Sequence, residues 1–455
     1  MPVNEASAEY SYNLPIWSKV RDCVAGEKRI KEKGTSYLPP FAQPDQARYD
    51  AYKLRAMFYG VTQRTLSSLV GAGMRKGPEV ELPSGMEYLL EDADNSGNSL
   101  NQLMRSCLHN VMAVGRHGIL TDYPSAEGNL TAEDVQRLGL RPSIKEYKTE
   151  TIINWREESG KLVLVVLKEK HKEQVDPFSY DERDRYRVLQ LIEGVYTQSI
   201  YDDGGNMIGE AITPRDASGS TWDVIPFVFI GSMNNAPDVD NAPLYDLSVV
   251  NISHYMNSAD YEESLFMFSQ AMLHIDIGSM NGSTWNELNP NGIQVGARRG
   301  ITTQGGGSAT LIQSQANSAA YEAMVHKERQ MVQIGARLVE EGGQNQTAEG
   351  VRTNAAAEHS VLSSVATNVG DAIETSIEWA CMFQGANPDE VMLTMSMDFF
   401  DKSPEPQLIM AMMGLEDRGH MAPSDVVTYL RKTGLIAADR TDEQIADELS
   451  TDAGL

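Results

Sequence analysis

The sequence predicts an α+β fold, and three observations lead to this class. Apolar residues recur with helical spacing through most of residues 1–120 and again after residue 243. Between these stretches, residues 140–231 contain short apolar or alternating segments separated by turn sequences, the pattern of antiparallel strands. The chain of 455 residues is 41% apolar, so it can bury more than one core, because single cores rarely grow beyond about 300 residues.

The N-terminal half, residues 1–242, is predicted to combine helices with a β-meander. Its clearest helical segments are residues 45–73 and 99–124. Its strand-like segments are KLVLVVLKE, DRYRVLQLIEG, VYTQSIYD, MIGEAIT and WDVIPFVFIG, and DDGG and DASGS lie between them as turns. The simplest arrangement is an antiparallel meander that packs on the N-terminal helices.

Two helices separated by a small insertion are predicted next. The Pro-, Asn- and Asp-rich connector NNAPDVDNAP leads into a helix over residues 243–272. Residues 273–316 are rich in Gly, Asn and Ser, contain strand-like pieces such as GIQV and TLIQ, and are too long for a simple loop. We interpret them as a small β-rich unit, after which residues 317–339 form a second helix.

The stretch EEGGQNQTAEG, residues 340–350, interrupts two helical segments. It contains glycines and three amide side chains but no large apolar residue that could anchor it in a core. We therefore expect this segment to project from the fold and to move.

Residues 348–383 are predicted to form one long helix of about 35 residues, which would be roughly 52 Å long. Its narrow apolar stripe lies beside many small residues and consists of Val365, Val369, Ile373 and Ile377. We interpret the stripe as a subunit-packing surface, whose neighbours are copies of the same chain.

The C-terminal part is predicted to begin with a strand that returns to the N-terminal half, over residues 384–401. Residues 402–455 then read as a compact region of short helices. From residue 401 onward the chain carries 11 acidic and 5 basic residues, so this region is acidic.

The charge balance limits the classes of partner. With 64 acidic and 38 basic residues, the formal net charge is −26, which argues against tight binding of DNA or RNA through phosphate contacts. It does not exclude a protein that lets DNA pass without holding it. The sequence has no run of roughly 18 apolar residues, and its first residues lack the pattern of a signal peptide, so we expect neither membrane insertion nor standard secretion.

The sequence contains no pattern of an enzyme or cofactor site. GAGMRKG, residues 71–77, lacks the Gly-Lys-Ser/Thr order of a phosphate-binding loop and follows a helix rather than a strand. HExxH, GxSxG and EF-hand patterns are absent from the sequence, the eight histidines are scattered, and the three cysteines form no CxxC pair. We expect no enzyme, no metal site and no cofactor.

The chain resembles the portal proteins of tailed bacteriophages. The order of the predicted parts is similar, and so are the segments YDAYKLRAMFYGVTQRTLSSLVGAGMRKGP (49–78), LSVVNISHYMNSADYEESL (247–265) and MVQIGARLVEEGGQNQTAEGVRTNAAAEHSVLSSVATNVGDAIETSIEWA (331–380). The resemblance implies a ring, usually of twelve subunits, at one capsid vertex. Terminase would drive DNA in through this ring, and the DNA would later leave by it.

The resemblance also implies a role for each part of the chain. The portal names would apply as follows: wing, residues 1–242 and the strand in 384–401; stem helices, 243–272 and 317–339; clip, 273–316; tunnel loop, 340–350; tunnel helix, 348–383; crown, 402–455. The clip would face terminase and later the tail adaptor. The crown would lie inside the capsid.

The tunnel loop would lie at the narrowest part of the channel. Its neutral amides would touch phosphates only weakly, whereas lysines there would add a salt-dependent hold on the DNA. The residues implied to face the channel are Glu340, Glu341, Gly342, Gly343, Gln344, Asn345, Gln346 and Thr347.

Trp285, Arg298 and Arg299 are the predicted docking residues of the clip. Trp and Arg are the residue types most often enriched at the centres of protein interfaces. An equally good interpretation of Trp285 is that it forms the core of the small β-rich unit.

The implied partners are copies of the same chain, the terminase large subunit, a head-tail adaptor protein, the major capsid and scaffold proteins, and double-stranded DNA that passes without sequence specificity. The implied location is the portal vertex of the virion, after assembly in the host cytoplasm. A multimeric adaptor or scaffold protein without a DNA channel is the main alternative, and a helical enzyme is a more distant one. A closed ring with a central hole would distinguish a portal from both.

Overall fold

A computed structural model of the chain describes residues 2–40, 45–124, 140–269, 272–290, 305–312, 318–338, 360–399, 406–416, 418–432, 435–436, 440–441 and 444. The chain divides into two compact units. The first comprises Met1–Gly71 and Pro78–Met395, and the second comprises Ala72–Gly77 and Ser396–Leu455.

Helices and antiparallel sheets occur together, which confirms the predicted α+β class. The helices are α1 (Ala8–Ala25), α2 (Glu27–Lys33), α3 (Gln46–Arg55), α4 (Val61–Gly73), α5 (Tyr88–Glu91), α6 (Leu100–Val114), α7 (Tyr245–Phe268), α8 (Gly282–Leu288), α9 (Ser318–Arg337), α10 (Val361–Gln384), α11 (Pro406–Glu416) and α12 (Pro423–Lys432). The strands are β1 (Glu79–Glu81), β2 (Arg116–Asp122), β3 (Ser143–Lys148), β4 (Ile152–Glu158), β5 (Lys161–Asp176), β6 (Ser179–Ile192), β7 (Val195–Tyr201), β8 (Met207–Ile212), β9 (Phe227–Gly231), β10 (Met272–Asp276), β11 (Ser308–Ile312) and β12 (Met392–Thr394).

The meander predicted in the N-terminal half is present as a five-stranded antiparallel sheet in the order β4-β5-β6-β7-β8. Its longest pair, β5 with β6, extends from Leu164 opposite Gln190 to Asp176 opposite Ser179. The prediction is wrong for the segment WDVIPFVFIG, because β9 pairs with β2 and completes a separate three-stranded sheet, β3-β2-β9. Apolar runs in single strands do not specify a pairing partner, so the sequence could not separate the two sheets.

One face of the meander packs against the N-terminal segment and the first turn of α1. The Ser7 amide donates to the Ile153 carbonyl at 2.9 Å, and the Tyr10 hydroxyl donates to the Glu150 carbonyl at 2.9 Å. The apolar residues that share this contact are Val3, Ala6, Tyr10, Ile153, Val166, Tyr186 and Val188. The N-terminal residues therefore cover part of one face of the sheet.

Helix α6 is buried along most of its length between α10 and the three-stranded sheet. It begins with a capping box in which Ser99 and Gln102 each bond the other's backbone amide. It ends at Gly115, whose φ of +77° is left-handed and whose Cβ, if present, would lie 2.4 Å from the Asn241 carbonyl oxygen. The chain therefore needs glycine at this turn, where it passes close to the connector before α7.

Helix α10 starts later than the sequence predicts. Ser360 has an extended backbone (φ −75°, ψ 156°), and its side chain accepts a hydrogen bond from the Ser363 amide, so it is an N-cap. The helix therefore begins after Ser360 and covers 24 residues from Val361, about 36 Å, and positions 348–359 of the predicted helix lie outside the described residues. A serine in a stretch of small residues gives only a weak stop signal in sequence, because the same residues also suit a helix interior.

The apolar stripe of α10 is not a subunit-packing surface. Its residues are completely buried inside a single chain, against α6, β2 and β9; they are Val365, Val369, Ile373 and Ile377. This corrects the assignment of these four residues to contacts between copies. The periodicity was correctly interpreted as a buried face, but the covering elements belong to the same chain.

The return strand predicted within residues 384–401 is present in shorter form. β12 pairs with β1 in antiparallel register, with Val80 opposite Leu393. In the second unit, α11 and α12 contact each other, and the Lys76 ammonium lies 2.7 Å from the Asp398 carboxylate. Within residues 402–455, the described part includes the two helices α11 and α12.

Candidate functional site

Helices α7 and α9 lie antiparallel against each other and form a hairpin. The rings of Tyr261 and Tyr321 stand 5.8 Å apart between centroids near the outer end. Closer to the base, His254 Nε2 and Glu328 Oε1 are 3.3 Å apart. Between these two contacts the residue number rises on one helix as it falls on the other, so the helices run antiparallel. The two contacts also define which residues lie opposite each other.

A half-buried group of polar contacts joins the two helices of the hairpin. The Lys327 ammonium donates to the Ser253 carbonyl at 3.1 Å and to the Asn257 side-chain oxygen. Burial lowers the pKa of Lys327 and also that of His254, although Glu328 opposes the shift of the histidine. A neutral His254 is therefore favoured, and its bond to Glu328 positions α9 without adding a buried charge.

The base of the hairpin is fixed to the rest of the first unit by polar contacts. The Asn251 amide donates to the Tyr59 carbonyl at 2.8 Å, and its oxygen accepts from the Thr62 hydroxyl at 3.0 Å. The Ser258 hydroxyl accepts from the Met57 amide at 2.8 Å. The buried positions of α7 end at Ala259, so the first half of the helix is embedded and the second half is not.

The hairpin leaves apolar side chains uncovered in a single chain, both in its outer half and near its base. Met267 on α7 is 46% exposed, and Val332 on α9 is 70% exposed. What we call the hairpin surface is the set of exposed apolar side chains on these two helices, three in the outer half and Val332 near the base: Phe266, Met267, Tyr321 and Val332. A long, partly apolar helical hairpin that one chain leaves open is a candidate contact surface.

The small β-rich unit predicted over residues 273–316 contains an antiparallel pair, β10 with β11. Leu273 lies opposite Leu311, and Asp276 lies opposite Ser308. Leu311 is 55% exposed, and a two-stranded sheet alone is marginally stable in water. This pair therefore requires further packing partners.

Of the three predicted docking residues of this unit, one lies among the described residues. Trp285 lies on α8, which Asn281 caps, and its side chain is half-buried. Its partial exposure is compatible with both interpretations, core of the unit and contact residue. Arg298 and Arg299 lie outside the described residues.

The chain leaves α9 and enters α10 at nearly the same point. The Leu362 amide donates to the Leu338 carbonyl at 3.3 Å, and both side chains are buried. The residues predicted to face a channel, Glu340 to Thr347, fall between these two positions and lie outside the described residues. The last described residue of one helix region and the first turn of the next therefore lie side by side, at Leu338 and Leu362.

Arg116 is a buried residue that sequence reasoning missed. Its guanidinium lies between the rings of Trp155 and Phe229, 4.2 and 4.0 Å from their centroids, and donates to the carbonyls of Pro237 and Asp238. Burial lowers its pKa to about 9, although nearby carboxylates oppose the shift. Arg116 thus holds the connector that leads into α7. From the sequence, only the position of Arg116 beside a predicted strand could have been inferred.

Among the helices that the structure describes, none has both the length and the apolar character to cross a bilayer.

A protein-family model described as "Domain of unknown function (DUF4055)" matches residues 243–384. The matched region begins just before α7 and ends at the last residue of α10, so it contains the hairpin, the β10–β11 pair and α10. It is about a third of the chain. No curated protein matches the sequence.

The chain is similar to chains in solved structures of a gene transfer agent (GTA). They are described as "Virion of native gene transfer agent (GTA) particle" (12% identity, TM-score 0.43, 87% of this chain and 95% of the other), "Neck of empty GTA particle computed with C6 symmetry" (13%, 0.45, 87% and 96%) and "Neck of native GTA particle computed with C12 symmetry" (13%, 0.43, 88% and 98%). Identities and TM-scores this low transfer no function to the chain.

Proposed function

We propose that the chain is the subunit of a portal ring, a virion protein through which double-stranded DNA is packaged and later ejected. The observation that supports this most directly is the α7–α9 hairpin, embedded at its base and carrying the β10–β11 pair at its outer end. The sequence resemblance to tailed-phage portals implies this order of stem, clip and stem. The proposal assigns the chain no catalytic activity.

Ring formation follows from what a single chain leaves uncovered. The hairpin surface and the exposed β10–β11 pair gain stability when a neighbouring copy packs on them. In a ring these contacts are head-to-tail, because one face of each hairpin meets a different face of the next. The contact surface is therefore proposed on the hairpin and not on α10.

The channel is proposed to lie beside the segment that connects α9 to α10. There the loop residues Glu340, Glu341, Gly342, Gly343, Gln344, Asn345, Gln346 and Thr347 would surround the duplex. A net charge of −26 per chain fits a conduit that repels phosphates rather than one that holds them. The ring would be located at one capsid vertex, beside the major capsid and scaffold proteins.

The clip, residues 273–316, is proposed to dock the terminase large subunit during packaging and the head-tail adaptor afterwards. The exposed Leu311 and Ile312 and the half-buried Trp285 supply apolar contact area, and Arg298 and Arg299 would supply charged contacts.

Electron-microscopy class averages of the purified full-length chain, together with its mass by light scattering, test this function. We expect a closed ring with an open bore and, for twelve chains of 50.1 kDa, a mass of about 600 kDa. A stable monomer or dimer at micromolar concentration would contradict the proposal. A closed multimer without a bore would instead favour a structural adaptor or scaffold.

Two substitutions locate the contact between copies. Met267→Asp and Val332→Asp place a charge on the hairpin surface and should reduce the ring mass. Leu54→Asp is the matched control, because it adds the same charge to another helix at a position that is 76% exposed. Equal loss of the ring in all three variants, or in none, would place the contact elsewhere.

A further inference from the structure

Three potential metal ligands converge from separate elements of the first unit. They are Cys107 on α6, His117 on β2 and Glu146 on β3, and one ligand atom of each lies within 4.8 Å of the others. Glu146 stands opposite Ile119, so His117 is its diagonal neighbour on the same face of the sheet. Helix α6, which carries Cys107, contacts both strands.

His117 lacks the hydrogen bonds that a buried imidazole normally makes. The residue is completely buried, and neither ring nitrogen makes a hydrogen bond of good geometry among the described residues. Its Nε2 is nevertheless only 3.3 Å from Glu146 Oε2. Buried polar groups in native proteins are nearly always satisfied, so an exception of this kind calls for an explanation, and a bound ion is one that the neighbouring ligand groups supply.

A second histidine gives an internal comparison. His254 Nε2 and Glu328 Oε1 are also 3.3 Å apart, but there the two groups form a hydrogen bond and no cysteine is part of the group. At the same distance, the contact in the α7–α9 hairpin has the geometry of a hydrogen bond, whereas the contact at His117 does not meet that geometry. What differs at His117 is the third ligand, the Cys107 thiol.

We propose that Cys107, His117 and Glu146 bind a borderline-soft divalent cation of the Zn²⁺ type, with the fourth position open to solvent. Thiolate, imidazole and carboxylate are the ligands that Zn²⁺ prefers. In a tetrahedral site with bonds of about 2.0 to 2.2 Å to nitrogen and oxygen, neighbouring ligand atoms stand about 3.4 Å apart. The separation between His117 and Glu146 already matches that spacing.

The surroundings of the three ligands suit an ion. The Ser106 hydroxyl donates to Glu146 Oε2 at 2.6 Å, which orients the carboxylate and leaves it further lone pairs. The Glu146 side chain is 37% exposed, so an ion and its water can enter beside it. Burial lowers the pKa of His117, which keeps the imidazole neutral and able to ligate.

Charge balance favours occupancy by a divalent ion. Burial raises the pKa of Cys107 well above its usual range, so the free thiol is protonated. When the cation binds, the thiol proton is released to solvent and the sulfur becomes a thiolate. The thiolate and the carboxylate then neutralise the two positive charges, so no net charge is buried. The ion would join α6 to the β2–β3 pair.

A cobalt titration tests the site in the full-length chain, purified under reducing conditions and stripped with a chelator. We expect one Co²⁺ per chain, a thiolate-to-cobalt charge-transfer band in the near ultraviolet, and displacement of Co²⁺ by Zn²⁺. Cys107→Ala should abolish the band. Glu146→Gln, at the partly exposed ligand, should weaken binding by at least about tenfold.

Matched controls separate this site from other thiols and histidines. Cys381→Ala removes another buried cysteine, and His254→Gln removes the histidine of the comparison pair; both should keep full binding. A wild-type chain without the charge-transfer band, or a band that persists in Cys107→Ala, would overturn the proposal. So would unchanged affinity in a Glu146→Gln chain whose thermal melt is normal. None of these results depends on whether the chain forms a ring.

Discussion

Replacing Ile373 with alanine tests whether the α10 stripe is a core or a contact between copies. Ile373 is 0% exposed in a single chain, and its helix packs against α6, β2 and β9. Truncation should therefore weaken folding of each chain. It should leave the mass of the assembled ring unchanged, because the hairpin surface is unaffected.

The expected cost combines the lost transfer free energy of the side chain and the cavity that remains. For a fully buried isoleucine this amounts to about 2 to 5 kcal/mol of unfolding free energy. Unfolding entropy is about 2.1 cal/mol/K per residue, which gives roughly 0.8 kcal/mol per kelvin for the first unit. The midpoint of thermal unfolding should therefore fall by about 2 to 6 °C. Ile373→Val, which removes one carbon, should cost only about 0.5 to 1.5 kcal/mol.

Calorimetry and light scattering on the same samples supply the two readouts. Ile373→Ala should shift the melt and keep the ring mass, whereas Val332→Asp should reduce the ring mass with little shift in the melt of the isolated chain. If Ile373→Ala dissolved the ring without shifting the melt, the stripe would be a subunit contact after all, and its burial within one chain would be the wrong description.

Three further predictions concern the loop, the clip and pH. Replacing residues 344–346 by alanine should leave ring assembly intact, because surface substitutions of this kind lower the free energy of unfolding by under about 1 kcal/mol, and it should reduce the amount of DNA packaged in vitro. Replacing the same residues by lysine should make DNA binding salt-sensitive. Wild-type packaging in both variants would show that this loop does not face the channel. Combined Arg298→Ala and Arg299→Ala should weaken terminase or adaptor binding in a pull-down assay, and unchanged binding of both partners would remove these arginines from the interface. Burial lowers the pKa of His254 in the folded chain, so at mildly acidic pH the unfolded chain binds more protons than the folded chain. The stability associated with neutral His254 is therefore present above pH about 6.5 and is lost as the pH falls toward the pKa of the folded state. Urea unfolding should therefore show a smaller loss of stability between pH 7 and 5.5 in His254→Gln than in wild type, and an equal or larger loss would contradict this assignment.

The sequence by itself determined the kinds of element and their order along the chain. Helical spacing and strand alternation are local properties, so they located the helices around Leu247 and Ile373 and the strands of the meander. The same periodicity showed that Val365 and its neighbours on α10 form a buried face. The sequence also determines the composition, and its excess of acidic residues limits how the chain can interact with DNA.

Only the tertiary structure decided what covers each face and which distant residues meet. A stripe such as the one containing Ile373 records that water is excluded, but not whether the same chain or another copy excludes it. β9 carries an apolar run that suits either sheet, and the position of β2 selects its partner. Cys107, His117 and Glu146 come from three elements with no shared spacing, so no motif could have joined them. Burial, pairing and ligand convergence depend on contacts between residues far apart in sequence, and local patterns do not encode those contacts.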